Sequence, residues 1–262
     1  MNLYNKVKFR TMIKRLLLLG LAVNLLWACN SGKSTGNATN DSAYTSKDST
    51  QSEHPTSAHL NIIDTLKVGD KQLLVYLIDK ATFEQYPAYK YPVDSSETRT
   101  LAKDSTVKRV GTSLVFQLTN GQQKVRADNE EEGGDYVHYF YAGYYPALHR
   151  HVLSLTFYEG TGFELLNPDN GDTLNVWGPP AISPDKKYFM CSNMDIAAGF
   201  DVNGFQLFEI NNKNLRLVGD VSLEKYGIDK VQWIDNKTLI AIYQTQEDNA
   251  NERTRYVKMV IQ

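Results

Sequence analysis

The sequence predicts an all-β fold for residues 59–262, and three observations carry that prediction. Short runs of Val, Ile, Phe, Tyr and Leu alternate with turn-forming residues throughout this region, a pattern typical of strands joined by hairpins. Asn-Gly pairs recur between the runs, and this dipeptide accepts the positive φ angles of tight hairpin turns. Signals for helix are confined to two short stretches, residues 81–86 and 224–226.

The clearest strand patterns lie on either side of turns. Along the chain, the predicted strand-and-turn units are 114–118 with a turn at Asn120-Gly121, 163–176 with a turn at 167–171, and 205–217 with turns at Asn203-Gly204 and 211–214. In each unit apolar residues occupy alternate positions, so that one face of the strand is buried.

A weak internal repeat suggests an architecture. Residues 181–190 align with residues 232–241, 51 positions later, and both segments are composed of an apolar strand, a polar turn and a second apolar strand. Residues 145–153 form a degenerate copy, about 36 positions earlier. Repeats of about 40–50 residues with about four strands each are typical of β-propeller blades. We therefore predict a β-propeller-like domain of roughly four or five blades, complete or incomplete. A β-sandwich is the alternative, because residues 60–110 do not repeat cleanly.

The turn of the repeat resembles a known hairpin. The segment 183–189, Ser-Pro-Asp-Lys-Lys-Tyr-Phe, is similar to the "SPDGK" hairpins of WD40-like and TolB-like β-propellers, and the resemblance extends from residue 136 to the C-terminus. No Trp-Asp or Gly-His pair is present, so the resemblance implies the fold and not an activity. Tyr158-Glu159-Gly160 followed by Ser183-Pro184-Asp185 is also similar to small secreted bacterial proteins of uncharacterised activity.

The first 28 residues have the pattern of a secretory signal peptide. Residues 1–15 carry five positive charges and no acid, and residues 16–26 are apolar apart from Gly20 and Asn24. A helix of about eleven residues reaches only about 16 Å, roughly half of the hydrocarbon core of a bilayer. The segment is therefore interpreted as a cleaved leader and not a permanent span.

Leu26-Trp27-Ala28-Cys29 resembles the lipobox of bacterial lipoproteins. The resemblance implies cleavage before Cys29 and diacylglycerylation of its thiol, which would anchor the chain in a membrane of the cell envelope. Two or three acyl chains make a stable anchor, whereas one does not. The alternative is an ordinary signal peptide with an incidental cysteine.

The region after Cys29 is polar and the remaining chain is acidic. Residues 29–58 are predicted to be a disordered tether, because such a composition cannot bury enough apolar surface to offset its ordering entropy. Without the leader, 23 basic residues face 30 acidic ones, a formal charge of −7 that argues against a nucleic-acid partner. Cys191 is then the one cysteine left besides Cys29, so no intrachain disulfide is expected; its apolar neighbours predict a buried strand residue.

Two clusters suggest ligand or metal binding. The aromatic stretch 136–141 makes Tyr139 and Tyr141 candidates for ligand contact, since exposed aromatic rings stack on sugars or peptides. The alternative is that these rings fill the buried face of a strand. His149 and His151 are expected on one face of a strand and suggest the start of a metal site, whereas surface histidines beside a loop are the alternative.

Carboxylates give two further hypotheses. The acidic loop 128–135 suggests a Ca²⁺ site or, alternatively, a solvated loop. Glu159 and Glu164 suggest the paired carboxylates of a glycosidase, although the sequence does not show their separation.

The sequence contains no recognisable catalytic, nucleotide or cofactor motif. We therefore expect a non-catalytic binding or scaffold module, anchored through Cys29 to the outer membrane, facing the periplasm and without a cofactor. Its expected partner is an envelope protein or a glycan. The alternatives are a glycan hydrolase of the envelope and an inhibitor of a hydrolase.

Overall fold

Strands dominate the computed structural model, which describes residues 61–131, 135–246 and 253–262. These residues fall within the compact unit 55–262. The predictions for the leader, for Cys29 and for the tether lie outside the described residues. The all-β prediction is confirmed: the described residues form sixteen strands in four antiparallel sheets and two short helices. No helix in this part of the chain is long and apolar enough to cross a membrane.

We number the three sheets built from consecutive strands 1 to 3 in chain order and call the remaining sheet 4. Sheet 1 contains β3 (Val107–Val110), β4 (Ser113–Gln117) and β5 (Gln123–Ala127). Sheet 2 contains β6 (Val137–Tyr145), β7 (Arg150–Phe157), β8 (Thr161–Leu166) and β9 (Thr173–Val176). Sheet 3 contains β10 (Ala181–Ile182), β11 (Tyr188–Asn193), β12 (Gly204–Asn211) and β13 (Asn214–Ser222). In each, strands that follow one another in the chain are neighbours.

Sheet 4 combines two distant parts of the chain. Its order is β1 (Asn61–Val68), β2 (Lys71–Ile78), β16 (Thr254–Ile261), β15 (Thr238–Thr245) and β14 (Tyr226–Trp233). Strands β2 and β16 are antiparallel, with a register that runs from Ile78 opposite Tyr256 to Leu73 opposite Ile261.

Three apolar clusters lie between successive sheets. Phe116 of sheet 1 packs with Tyr141 and Leu153 of sheet 2. Phe163 of sheet 2 packs with residues of sheet 3 that include a stacked ring pair, Phe189 and Phe208, whose centroids are 4.6 Å apart. The third cluster joins sheets 3 and 4, and its members include Met190, Phe205 and Tyr243.

Strand β11 explains how sheet 3 packs on both sides. Phe189 and Cys191 belong to the cluster shared with sheet 2, whereas Met190 belongs to the cluster shared with sheet 4. Alternate residues of a strand point to opposite faces, so a continuous apolar run is what a strand covered on both faces requires.

The structure confirms most of the predicted turns and corrects one. Asn120-Gly121 and residues 167–171 turn the chain between strands, and Asn212, with φ of 54°, makes the two-residue loop between β12 and β13. The hairpin predicted at Asn203-Gly204 is wrong, because Gly204 is the first residue of β12. The amide of Asn203 instead donates to the carbonyls of Leu223 and Tyr226, which ties the connection to sheet 4.

The helix predictions were only partly right. Helix α1 (Lys80–Phe83) lies at the first predicted stretch, but residues 224–226 are not helical and Tyr226 begins β14. Helix α2 (Glu97–Leu101) was missed, although Ser96 is an N-cap whose hydroxyl accepts from the Arg99 N–H. A serine followed by an acid is a readable helix start.

The three repeat segments occupy the same place in three sheets. Each lies in the hairpin between an edge strand and its neighbour: β6–β7, β10–β11 and β14–β15. The last two share a turn device, because Asp185 accepts from the Lys187 N–H and Asp235 from the Lys237 N–H.

Candidate functional site

Together with the buried Phe163, five tyrosine and tryptophan residues line one cavity of about 470 Å³ at the meeting of sheets 2, 3 and 4. They are Tyr89, Tyr91, Tyr145, Trp177 and Trp233, and together they define what we call the aromatic pocket. Tyr145 ends β6, Trp233 ends β14, Trp177 follows β9, and the first two tyrosines lie in the segment between the helices. The pocket therefore unites parts of the chain that are far apart in sequence.

The tryptophans are fixed by contacts with sheet 3. The indole Nε1 of Trp233 donates to the Ala181 carbonyl at 2.9 Å, and its ring stacks on Tyr188 with an interplanar angle of 20°. The backbone N–H of Trp177 donates to the side chain of Gln206 at 2.9 Å. Both tryptophans remain half-buried, so part of each ring is available to a ligand.

The segment between the helices, which contains Tyr89 and Tyr91, is held against the sheets by hydrogen bonds to its backbone carbonyls. The hydroxyl of Tyr145 donates to the Pro92 carbonyl at 2.8 Å, and the amide of Gln232 donates to the Pro87 carbonyl at 2.7 Å. Burial, with the neighbouring tyrosines, raises the pKa of Tyr145 to about 12. Burial also raises the pKa of Tyr89 to about 12. Both side chains are therefore neutral phenols at physiological pH.

One wall of the aromatic pocket depends on a glycine. A Cβ atom on Gly178 would lie 1.9 Å from the Ser192 carbonyl oxygen, so only glycine lets the two backbones come this close. The polar residues that line the pocket include Asn193, Gln232 and the exposed Asp229. Flat rings beside amide and carboxylate groups can stack on a ligand and hydrogen-bond its edge.

A second cavity, of about 560 Å³, lies between sheets 1 and 2. We call it the histidine cavity, because His149 and His151 both line it, together with Asp104, Tyr144 and Thr119. Sequence reasoning singled out both histidines, although it placed them on one face of a strand. It missed Asp104, which follows α2 and is distant in sequence.

His149 does not lie on a strand, contrary to the prediction. It lies in the turn between β6 and β7 with φ of 50°. Its Nδ1 is 2.8 Å from the Tyr144 hydroxyl and its Nε2 is 3.0 Å from the carboxylate of Asp169. Hydrogen bonds from Lys213 and then from His149 hold the pKa of Asp169 well below its ordinary value. Both nitrogens of His149 are thus engaged by the protein, and the described residues contain no group of three or more His, Cys, Asp or Glu that could hold a metal ion.

The structure buries Tyr141 and half-buries Tyr139. Tyr141 has no exposed surface, so its ring contacts the core of sheets 1 and 2 rather than a ligand. Tyr139 lines a further cavity of about 430 Å³ that shares Trp177 and Asn193 with the aromatic pocket, and its carbonyl accepts from Arg109. Ligand contact by Tyr139 stays a prediction, whereas the hydroxyl of Tyr141 contacts Asp104 and His151.

In both predicted carboxylate sites, a carboxylate forms an ion pair with an arginine of the protein. Glu164 is buried and its two oxygens accept from Arg126 at 2.8 and 3.0 Å, whereas Glu159 is exposed in the turn after β7. Asp128, in the acidic loop, is bound by Arg109 at 3.1 Å and by the Tyr139 N–H at 2.8 Å. Residues 132–134 of that loop lie outside the described residues.

Cys191 is a buried strand residue, as predicted. Burial raises the pKa of its thiol well above the ordinary value, although a hydrogen bond from the Gly178 backbone opposes the rise. A neutral, enclosed thiol is a packing group and not a nucleophile.

Comparison of the chain with known protein families, curated proteins and solved structures finds no match. The residues and their geometry therefore carry the functional argument.

Proposed function

We propose that this chain is a non-catalytic binding module of the bacterial cell envelope and that its aromatic pocket binds a glycan chain. The observation that carries the proposal is the convergence of Tyr89, Tyr91, Tyr145, Trp177 and Trp233, from separate elements, on one open pocket. Aromatic rings offer large, flat, weakly polar surfaces on which sugar rings stack, while neighbouring amides accept and donate hydrogen bonds.

The chemistry of the pocket favours a glycan over a charged ligand. Lys90 and Asp229 lie at the exposed rim and are of opposite sign, so the pocket presents little net charge. The interior supplies rings, prolines and the neutral side chains of Asn193 and Gln232. Neutral sugars with hydroxyl edges and apolar faces match this lining.

For the architecture, we propose an incomplete β-propeller whose four blades are sheets 1 to 4. The repeat segments support this assignment, since each lies in the hairpin at one edge of its sheet. The apolar clusters between successive sheets support it as well. Sheet 4 would be the blade that combines strands from both parts of the chain.

For location, we propose that lipid on Cys29 anchors the domain to the outer membrane, facing the periplasm, through the tether 29–58. A tether of this length spans about 30 Å and keeps the binding module at a high effective concentration near the envelope. Metabolic labelling with an alkyne fatty acid tests the anchor: the label should appear on the wild-type chain and disappear in Cys29→Ala.

Glycan binding is tested with the full chain in detergent micelles and a panel of soluble polysaccharides and muropeptides, followed by tryptophan fluorescence. Tyr91 is 59% exposed and lines the pocket, whereas Tyr158 is 63% exposed and does not. We expect Tyr91→Ala to weaken binding about three- to tenfold, the range of one lost aromatic contact. Tyr158→Ala is the matched control and should bind normally. Equal losses in both variants, or no binding by any glycan, would refute the proposal.

A further inference from the structure

The histidine cavity has its own set of polar residues, although it shares Pro92 and Tyr145 with the lining of the aromatic pocket. His151 is only 3% exposed and stands among three aromatic rings, with centroids 5.3 Å from Phe116, 5.8 Å from Tyr141 and 5.2 Å from Tyr144. It also lines the cavity, so the small accessible part of this imidazole faces the cavity. The surrounding rings therefore hold this nearly buried imidazole in place at the wall of the cavity.

The hydrogen bonds around His151 assign its tautomer. The hydroxyl of Tyr141 donates to Asp104 Oδ2 at 2.5 Å, so its single proton is already used. The tyrosine oxygen, 3.0 Å from His151 Nδ1, can then only accept. Asp104 Oδ2 also lies 3.4 Å from Nδ1. Nδ1 must therefore carry the proton, and Nε2 of the neutral ring is a hydrogen-bond acceptor.

The acceptor at Nε2 is not used inside the described part of the chain. The ring's polar contacts, with Tyr141 and Asp104, both involve Nδ1, and every fully buried side-chain polar atom among the described residues has a hydrogen-bond partner. Nε2 is thus accessible from the cavity rather than sealed in the core. A ligand that donates a hydrogen bond there gains a partner already oriented by Asp104 and Tyr141.

The charged groups of the cavity are paired with one another. Asp94 accepts from Arg99 at 2.5 Å and lies 3.9 Å from Lys103. Although burial alone would raise the pKa of Asp104, hydrogen bonds from His151, Thr106 and Tyr141 outweigh it and hold that pKa well below its ordinary value. The carboxylate is therefore charged and already satisfied, and little net charge is left to select an ion.

We propose that the histidine cavity is a second binding site, for a small neutral polyol such as a monosaccharide, one hydroxyl of which donates to His151 Nε2. Its volume falls in the range of small-molecule sites. The Tyr144 ring, 38% exposed, supplies a stacking surface, and the Thr119 and Thr106 hydroxyls supply further polar contacts.

The test uses the full chain in detergent, with ¹⁵N-labelled histidine and long-range ¹H–¹⁵N NMR. Glucose, N-acetylglucosamine and glycerol are the neutral probes, and acetate and methylammonium are the charged comparators. We expect the neutral form of His151 to carry its proton on Nδ1. At least one neutral probe should shift its Nε2 resonance in a saturable manner. In His151→Phe the same probe should no longer shift the resonances of His149, which also lines the cavity.

A matched pair of variants leaves the hydrogen bonds around His151 intact. Gln117 is exposed and lines the cavity, and Gln123, its exposed cross-strand partner, does not line it. Gln117→Trp should obstruct the cavity and weaken binding at least about tenfold, as expected for the loss of a good hydrogen bond and its packing. Gln123→Trp should bind as the wild type does.

Three results overturn the proposal: an Nε2-protonated neutral tautomer, a His151 resonance that no neutral probe shifts, or tighter binding of acetate or methylammonium than of any neutral probe. Equal weakening by Gln117→Trp and Gln123→Trp also contradicts it, because the effect would then not come from the cavity. Since the readout is His151 itself, failure here leaves the tryptophan-detected binding at the aromatic pocket a separate question.

Discussion

The ion pair between Arg126 and Glu164 makes the sharpest prediction about stability. Arg126 belongs to β5 of sheet 1 and Glu164 to β8 of sheet 2, so their two hydrogen bonds, of 2.8 and 3.0 Å, join neighbouring sheets. The side chains are only 18% and 7% exposed. Water therefore cannot easily replace either partner when the other is removed.

We expect Arg126→Met to destabilise the protein by about 3 kcal/mol, the lower end of the range for a buried charge that loses its partner, since Arg126 keeps some solvent contact. For a domain of this size that corresponds to a fall of about 6–12 °C in the melting temperature. The double variant Arg126→Met with Glu164→Leu should recover most of the loss, because it leaves no unpaired buried charge.

Urea unfolding followed by tryptophan fluorescence measures these differences. Arg216→Met is the control: it breaks a similar Arg–Glu pair with Glu209, but the two side chains are 57% and 36% exposed, so little change is expected. A double variant as unstable as Arg126→Met, or a control that loses as much, would show that burial of the charge is not the cause.

Three further predictions concern pH, thiol chemistry and packing. The pKa of Asp104 is lowered in the folded state, so its contribution to stability is complete above the ordinary aspartate pKa of about 4 and is lost as the pH falls below it. Asp104→Asn should therefore flatten the acid limb of the melting temperature against pH, and an unchanged limb would contradict this. Cys191 should resist maleimide in the native protein and react in urea, as followed by mass spectrometry; rapid native labelling would mean that the thiol is exposed. Gly178→Ala should lower the melting temperature by several degrees, because its Cβ would lie 1.9 Å from the Ser192 carbonyl oxygen, and a neutral effect would mean that the backbones separate freely.

The sequence was sufficient for the strands because their signals are local. Alternation of apolar residues and Asp- or Asn-containing turns act over a few positions, and the hairpins around 183–187 and 211–214 formed as these rules require. The hairpin prediction at Asn203-Gly204 was wrong because it also used local signals alone. Its role is set by the carbonyls of Leu223 and Tyr226, which local rules do not include.

The sites were harder to predict because they depend on the arrangement of the sheets. Tyr91 and Trp233 are separated by more than a hundred residues, and only the packing of sheets 2, 3 and 4 brings them to one pocket. The Tyr-rich stretch 136–141 was the more conspicuous signal, yet Tyr141 is wholly buried. Composition identified aromatic density, but burial decides which rings a ligand can reach.

The composition of sheet 4 has a consequence for how the chain acquires its structure during synthesis. Strand β2 (71–78) is made early, but its partner β16 (254–261) is made about 180 residues later. Until then the β1–β2 hairpin has an open edge, and such edges pair with other chains. Contacts between distant residues also slow folding. A nascent chain must therefore remain unpaired at this edge until residue 261 has been added, and a chain interrupted before β16 would leave two strands, β2 and β15, open to aggregation.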